Sequence, residues 1–81
     1  MPKIRRERIP PALMLHLLTR VRQREISIEQ LELFGDWTKA NPEVPHGKWF
    51  KRFPEMTVCG QGELIKTFLC PDQAPLGGEV D

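Results

Sequence analysis

Apolar positions recur at helical spacing through the first half of the chain. From Ala12 to about Arg24, Leu13, Met14, Leu17, Leu18 and Val21 fall three or four residues apart and make one apolar face, with His16, Thr19, Arg20 and Gln23 opposite. Pro10-Pro11 opens this helix, because the first turn has amide donors to spare. Leu15 widens the stripe beyond what one core-facing side needs, so it reads either as a second packing contact or as a contact with a partner. A second helix is predicted from Ile28 to about Ala40. Ser27 followed by Gln30 is a capping box, and Ile26 and Leu31 stand where a hydrophobic staple would close. Ile28, Leu31, Leu33, Phe34 and Trp37 form its apolar face, and Asn41-Pro42 ends it. Gly35 lies beside Ile28 and Leu31 and costs about 1 kcal/mol against alanine inside a helix. Close approach to the first helix is the expected reason for it.

The period changes after Asn41. Residues 41–47 are a proline-stiffened loop. In Lys48-Trp49-Phe50-Lys51-Arg52-Phe53 the aromatics share a side only at helical spacing, and a strand would mix the two faces, so a short helical turn is expected. Met56–Cys59 and Glu63–Cys70 flank Gly60-Gln61-Gly62, the signature of a β-hairpin. A two-residue turn at Gln61-Gly62 would set Cys59 opposite Leu64 and leave Cys70 well past that pair. The expected class is α+β: a two-helix N-terminal hairpin plus a short helical turn, packed against a C-terminal β-hairpin. Residues 1–9 read as a flexible basic arm, 10–70 as one small globular domain, and 71–81, with Pro71, Pro75, Gly77 and Gly78, as a flexible tail.

Bulk composition adds bounds rather than a function. The 81 residues make one domain at most, with 40% hydrophobic and 28% charged positions, near globular averages. The net charge of +1 points to no partner, but its distribution is uneven. Residues 1–24 hold seven basic side chains against Glu7, and residues 25–45 hold five acidic ones against Lys39. No apolar run approaches the roughly 20 residues that a membrane span needs, and Ala12–Leu18 lacks the marks of a signal peptide. Two cysteines make no disulfide framework. The expected setting is cytoplasmic, with no membrane partner.

Residue patterns that carry chemistry are mostly missing. Ser27, the only serine, is used as a cap, tyrosine is absent, and Cys59 has only His16 or His46 as a prospective base. Cys59, Cys70, His16 and His46 lack the short spacings of a zinc site. Gly60-Gln61-Gly62 leads into a strand, not into the helix that a phosphate loop requires. No catalytic residue, metal or cofactor is therefore assigned. The leading expectation is a small non-enzymatic regulatory or adaptor protein that binds another protein or itself. Its acidic docking face would be Glu29, Glu32 and Asp36, whose like charges at spacings of three and four oppose the helix and invite basic side chains. The basic arm (Lys3, Arg5, Arg6 and Arg8) is the nearest supply. The alternative is a winged helix-like nucleic-acid-binding module using that arm and Lys48, Lys51 and Arg52, interleaved with aromatics that could stack on bases. Against it, the acidic second helix would repel phosphate, and the loop before Lys48 is long for a helix-turn-helix.

Overall fold

Pro10 enters the first helix with φ −58° and ψ 134°, and Pro11 occupies its first position, as the missing amide of proline favours. The computed structural model describes residues 2–80. A 3-10 turn at Arg6–Arg8 leads into α1 (Pro11–Arg22) and then α2 (Ile28–Lys39). The strands follow: β1 (Lys48–Arg52), β2 (Thr57–Gln61), β3 (Leu64–Leu69) and β4 (Gly78–Glu79). They form one mixed sheet in the order β3-β2-β1-β4, antiparallel except for the parallel pair β1 and β4. The fold is α+β, with the helices N-terminal and the strands C-terminal.

The helix reading of residues 48–53 is corrected. Lys48–Arg52 is a central strand, paired with β2 on one side and β4 on the other. The two faces do mix, and both are covered. Trp49 points to the helix side, where it is fully buried 5.9 Å from the Trp37 ring. Phe53 follows on that side, edge-on to Trp37 and Phe34. Phe50 points the other way, as strand alternation requires, and lies beneath the Arg52 guanidinium, 5.3 Å from its ring centroid. With Phe68 edge-on to Phe34 at 5.5 Å, five aromatic rings tie α2 to the sheet. Ring pairs in such tilted and edge-to-face arrangements contribute beyond their buried area.

The hairpin turn lies one residue later than the glycine pattern suggests. Gln61 faces Leu64 across a two-residue loop of Gly62-Glu63, with Gly62 at φ 58°. A bulge at Cys59/Gly60 then sets Cys59 opposite Thr67, not Leu64. The bulge and turn serve Trp49. Its indole N–H donates to the Gly62 carbonyl at 2.8 Å, and its ring lies so close to Gly60 that a Cβ there would sit 2.3 Å from Cζ2.

Both termini are drawn into the fold. The Ile4 amide donates to the Pro42 carbonyl and the Val44 amide to the Pro2 carbonyl, each at 2.9 Å, and Ile4 and Val44 are fully buried. The expected free arm is thus a short backbone ladder against the loop after α2. The expected loose tail likewise returns to the sheet: Gly78–Glu79 form β4, and the Val80 amide donates to the Phe50 carbonyl at 2.8 Å. Met1 and Asp81 lie outside the described residues.

The capping box forms by half. Ser27 Oγ accepts from the Gln30 amide at 3.2 Å, but the Gln30 side chain turns into the core and accepts from the Glu55 amide at 2.8 Å. The Ser27 amide donates instead to the Glu55 carboxylate at 3.0 Å, and the Ser27 hydroxyl donates to that same carboxylate. The turn between β1 and β2 therefore caps α2 and places a negative charge at the positive end of its dipole. Arg20, expected on the exposed side of α1, is instead buried, with Glu25 Oε2 3.4 Å from its Nε.

Two glycines should respond oppositely to alanine. Gly60→Ala should destabilise by about 1–3 kcal/mol, as overpacking does. Gly35→Ala meets no atom within 4 Å and should stabilise by up to about 1 kcal/mol. Urea unfolding of both variants checks the pair of signs.

Candidate functional site

α2 presents three kinds of surface. Gln30, Phe34 and Thr38 recur every four residues and are buried. Leu31 and Gly35 lie on the next flank of the cylinder, and Glu29, Glu32 and Asp36 are exposed beyond it. The expected close approach at Gly35 is corrected, since no neighbour lies within 4 Å of the Cβ position. Backbone to backbone, α1 comes closer to β3 than to α2, and the two helices meet only through side chains such as Leu17 and Phe34.

What remains between the elements is an open groove. Ile9, Met14, Leu31, Phe34, Gly35 and Thr38 line a hollow of about 350 Å³. Thr38 offers it no free donor, because its hydroxyl donates to the Gly35 carbonyl at 2.8 Å. On the far side of Gly35 a second hollow of similar size is lined by Leu31, Glu32, Gly35, Asp36 and Lys39. The two share Leu31 and Gly35, so an apolar channel runs into an acidic rim. Leu18 lies one turn after Met14, and Ile28 lies three residues before Leu31, so these two extend the same flanks, whereas Leu15 lies about 100° round α1 from Met14, on its outer side. Leu18, Leu15 and Ile28 are 41%, 64% and 62% exposed, and none of the three lines either hollow.

The other sequence-predicted residues are dispersed. Arg8 pairs with Glu63 at the hairpin turn, and Lys3 bridges Glu43 through the backbone. Arg5 is exposed, and the Arg6 side chain lies outside the described residues. Among the described residues no ion pair joins the arm to Glu29, Glu32 or Asp36. Lys48 and Arg52 stand on the outer face of β1, where Arg52 lies 3.8 Å from Glu79. Lys51 is on the other face, its ammonium 5.4 Å from the Phe53 centroid. Trp49 and Phe50 are committed to the interior, so neither ring is open to a base.

Cys59 and Cys70 are both free. Among the described residues no cluster of three or more histidine, cysteine or acidic side chains could hold a metal ion, and no helix is long and apolar enough to cross a membrane. Sequence reasoning missed Ile9, Met14 and Gly35 as groove residues. A mid-helix glycine with no compensating turn was the signal available, but it marks a close approach and an open hollow equally. No family model matches the chain, and comparison with curated proteins and with solved structures returns no match.

Burial pushes the Cys59 thiol above its ordinary pKa. Since only the thiolate reacts, alkylation of Cys59 in a Cys70→Ser variant should set in at a pH above the usual thiol range. The stability linked to this raised pKa is present below the unfolded thiol value and is lost as pH rises through the folded one. The pH–rate profile of iodoacetamide modification, read beside alkaline unfolding, checks both statements.

Proposed function

We propose that this is a small non-enzymatic adaptor or regulatory protein that binds another protein, through the groove between α1 and α2. The carrying observation is the open channel at Gly35, apolar along Ile9, Met14 and Leu31 and bordered by Glu32, Asp36 and Lys39, acidic on balance. A chain that needed this side only for its own core would gain stability by filling it. The channel's chemistry favours an amphipathic helix whose apolar side enters between α1 and α2 while lysines or arginines meet the carboxylates. Helix-in-groove recognition of this kind draws affinity from a few apolar anchors, and charge complementarity sets orientation and association rate. Free cysteines accord with a cytoplasmic setting for such a contact.

The test uses a synthetic helical peptide of leucine and lysine with leucines at i, i+3, i+4 and i+7. It should bind the wild type with amide shifts centred on Met14, Leu31 and Gly35. Gly35→Leu, which fills the channel without touching another atom at its Cβ, should weaken the peptide by about ten-fold or more, the equivalent of roughly 1.4 kcal/mol. Equal binding to both proteins, or shifts centred elsewhere, would remove this reading. Concentration-dependent sedimentation without peptide, abolished by Gly35→Leu, would name a second copy as the occupant instead.

A further inference from the structure

The segment from Cys70 to Gly77 carries the chain from the end of β3 across the outer face of the sheet to β4. Its ends are tied. The Gln73 amide donates to the Cys70 carbonyl at 3.0 Å, and the Cys70 amide donates to Gln73 Oε1 at 2.8 Å. At the other end Gly77 takes φ 101°, pressed so near the Lys48 carbonyl that a Cβ would lie 2.2 Å from its oxygen. Between these anchors, Ala74, Pro75 and Leu76 make no backbone hydrogen bond among the described residues. A crossing without main-chain bonds stands off from the sheet, and a cavity of about 270 Å³ lies beneath it. Leu76 does not fill it, being 72% exposed.

The cavity's chemistry is specific. Its walls include Cys59, Thr67 and Leu69 from the sheet and Ala74, Pro75 and Leu76 from the strap, with Lys48 and Lys66 the charged members. No aspartate or glutamate lines it, and neither lysine forms an ion pair among the described residues. By strand register Lys48, Cys59, Thr67 and Leu69 share the face turned away from the helices, so this site is separate from the α1–α2 groove.

We propose that the space under the strap binds a small amphiphilic carboxylate, with its apolar body against Leu69, Pro75 and Leu76 and its anionic end at Lys48 and Lys66. A mostly apolar lining disfavours sugars and polyphosphates, whose polar groups would be left unpaired. Ammonium groups act as point charges and suit a single anionic head, where a phosphate cradle would offer arginine forks or a helix N-terminus. The volume of about 270 Å³ falls just below the usual range of small-molecule sites, which limits the ligand to a short chain or one ring. The Cys59 thiol, whose pKa burial pushes up, adds no repulsion.

Octanoate titrated into the full chain carrying Cys70→Ser tests the proposal, with octylammonium as the charge-reversed control. Octanoate should give saturating amide shifts at residues 59–69, Ala74 and Leu76 and should slow alkylation of Cys59 several-fold. Lys48→Glu with Lys66→Glu should weaken octanoate by about ten-fold and favour octylammonium, the scale expected for two exposed ion pairs. Both lysines are exposed, so folding should persist, and glutamine at the two positions supplies the same comparison with half the charge change. Shifts that never saturate, shifts confined to the α1–α2 groove, equal binding of octanoate and octylammonium, or an unchanged alkylation rate would each overturn the assignment.

Discussion

The seating of Trp49 is the constraint from which most of the architecture follows. An indole fully buried in the middle of a central strand needs a flat neighbour and a partner for its N–H. Gly60 supplies the first by having no side chain, and the Gly62 carbonyl supplies the second at 2.8 Å. Both lie in the hairpin, so the position of the turn, the bulge at Cys59/Gly60 and the register between β1 and β2 are set around a single ring. On its other side the indole meets Trp37, and through Phe34, Phe53 and Phe68 the contact spreads to α2 and β3. In a domain this small, where little apolar area is available per residue, concentrating the core in five interlocked aromatics is an effective use of it.

The inner side of α2 is committed to those rings and its N-terminus is held by Glu55, while α1 joins the same core through Leu17. That arrangement frees the surface between the helices. The two helices need not meet closely, Gly35 can remain uncovered, and aliphatic side chains on both flanks can stay exposed without loss of the core. The position of the acidic residues then acquires meaning: Glu32 and Asp36 border a hollow instead of a plain solvent face. A rigid element with an open flank is the kind of support on which a binding surface keeps its shape.

The outer face of the sheet is organised differently. The returning C-terminal segment is pinned at Cys70–Gln73 and at β4, with a stretch lacking main-chain bonds between them, and it overhangs an open hollow with Lys48 and Lys66 as its charged members. Glu32 and Asp36, together with Lys39, border the helix-side groove, and Lys48 and Lys66 border the strap-side cavity. The sheet between them holds Trp49, Val58, Ile65 and Phe68 in a packed layer, which isolates the two surfaces from one another.

Interactions reaching only a few residues along the chain are legible in the sequence itself. The two helices, the proline start of α1, the Ser27–Gln30 bond that starts α2 and the existence of a glycine-turned hairpin all follow from periodicity and local hydrogen bonding. The acidic side of α2 is legible for the same reason, since a helical wheel places Glu29, Glu32 and Asp36 together. Tertiary structure decided the rest. Residues 48–53 carry aromatics on both strand faces, a pattern intelligible only once helices cover one face and the 70–80 segment the other. Gln30 leaves its local capping partner because the Glu55 amide, distant in sequence, needs an acceptor inside the core. Gly35 fits close packing or an empty groove equally well by sequence, and only the closer approach of α1 to β3 selects the groove. Backbone pairing of residues 2–4 with 42–44, and of β1 with β4, joins segments far apart in the chain. Their bonds leave no periodic trace in either partner, because main-chain donors and acceptors are the same whatever side chains they carry.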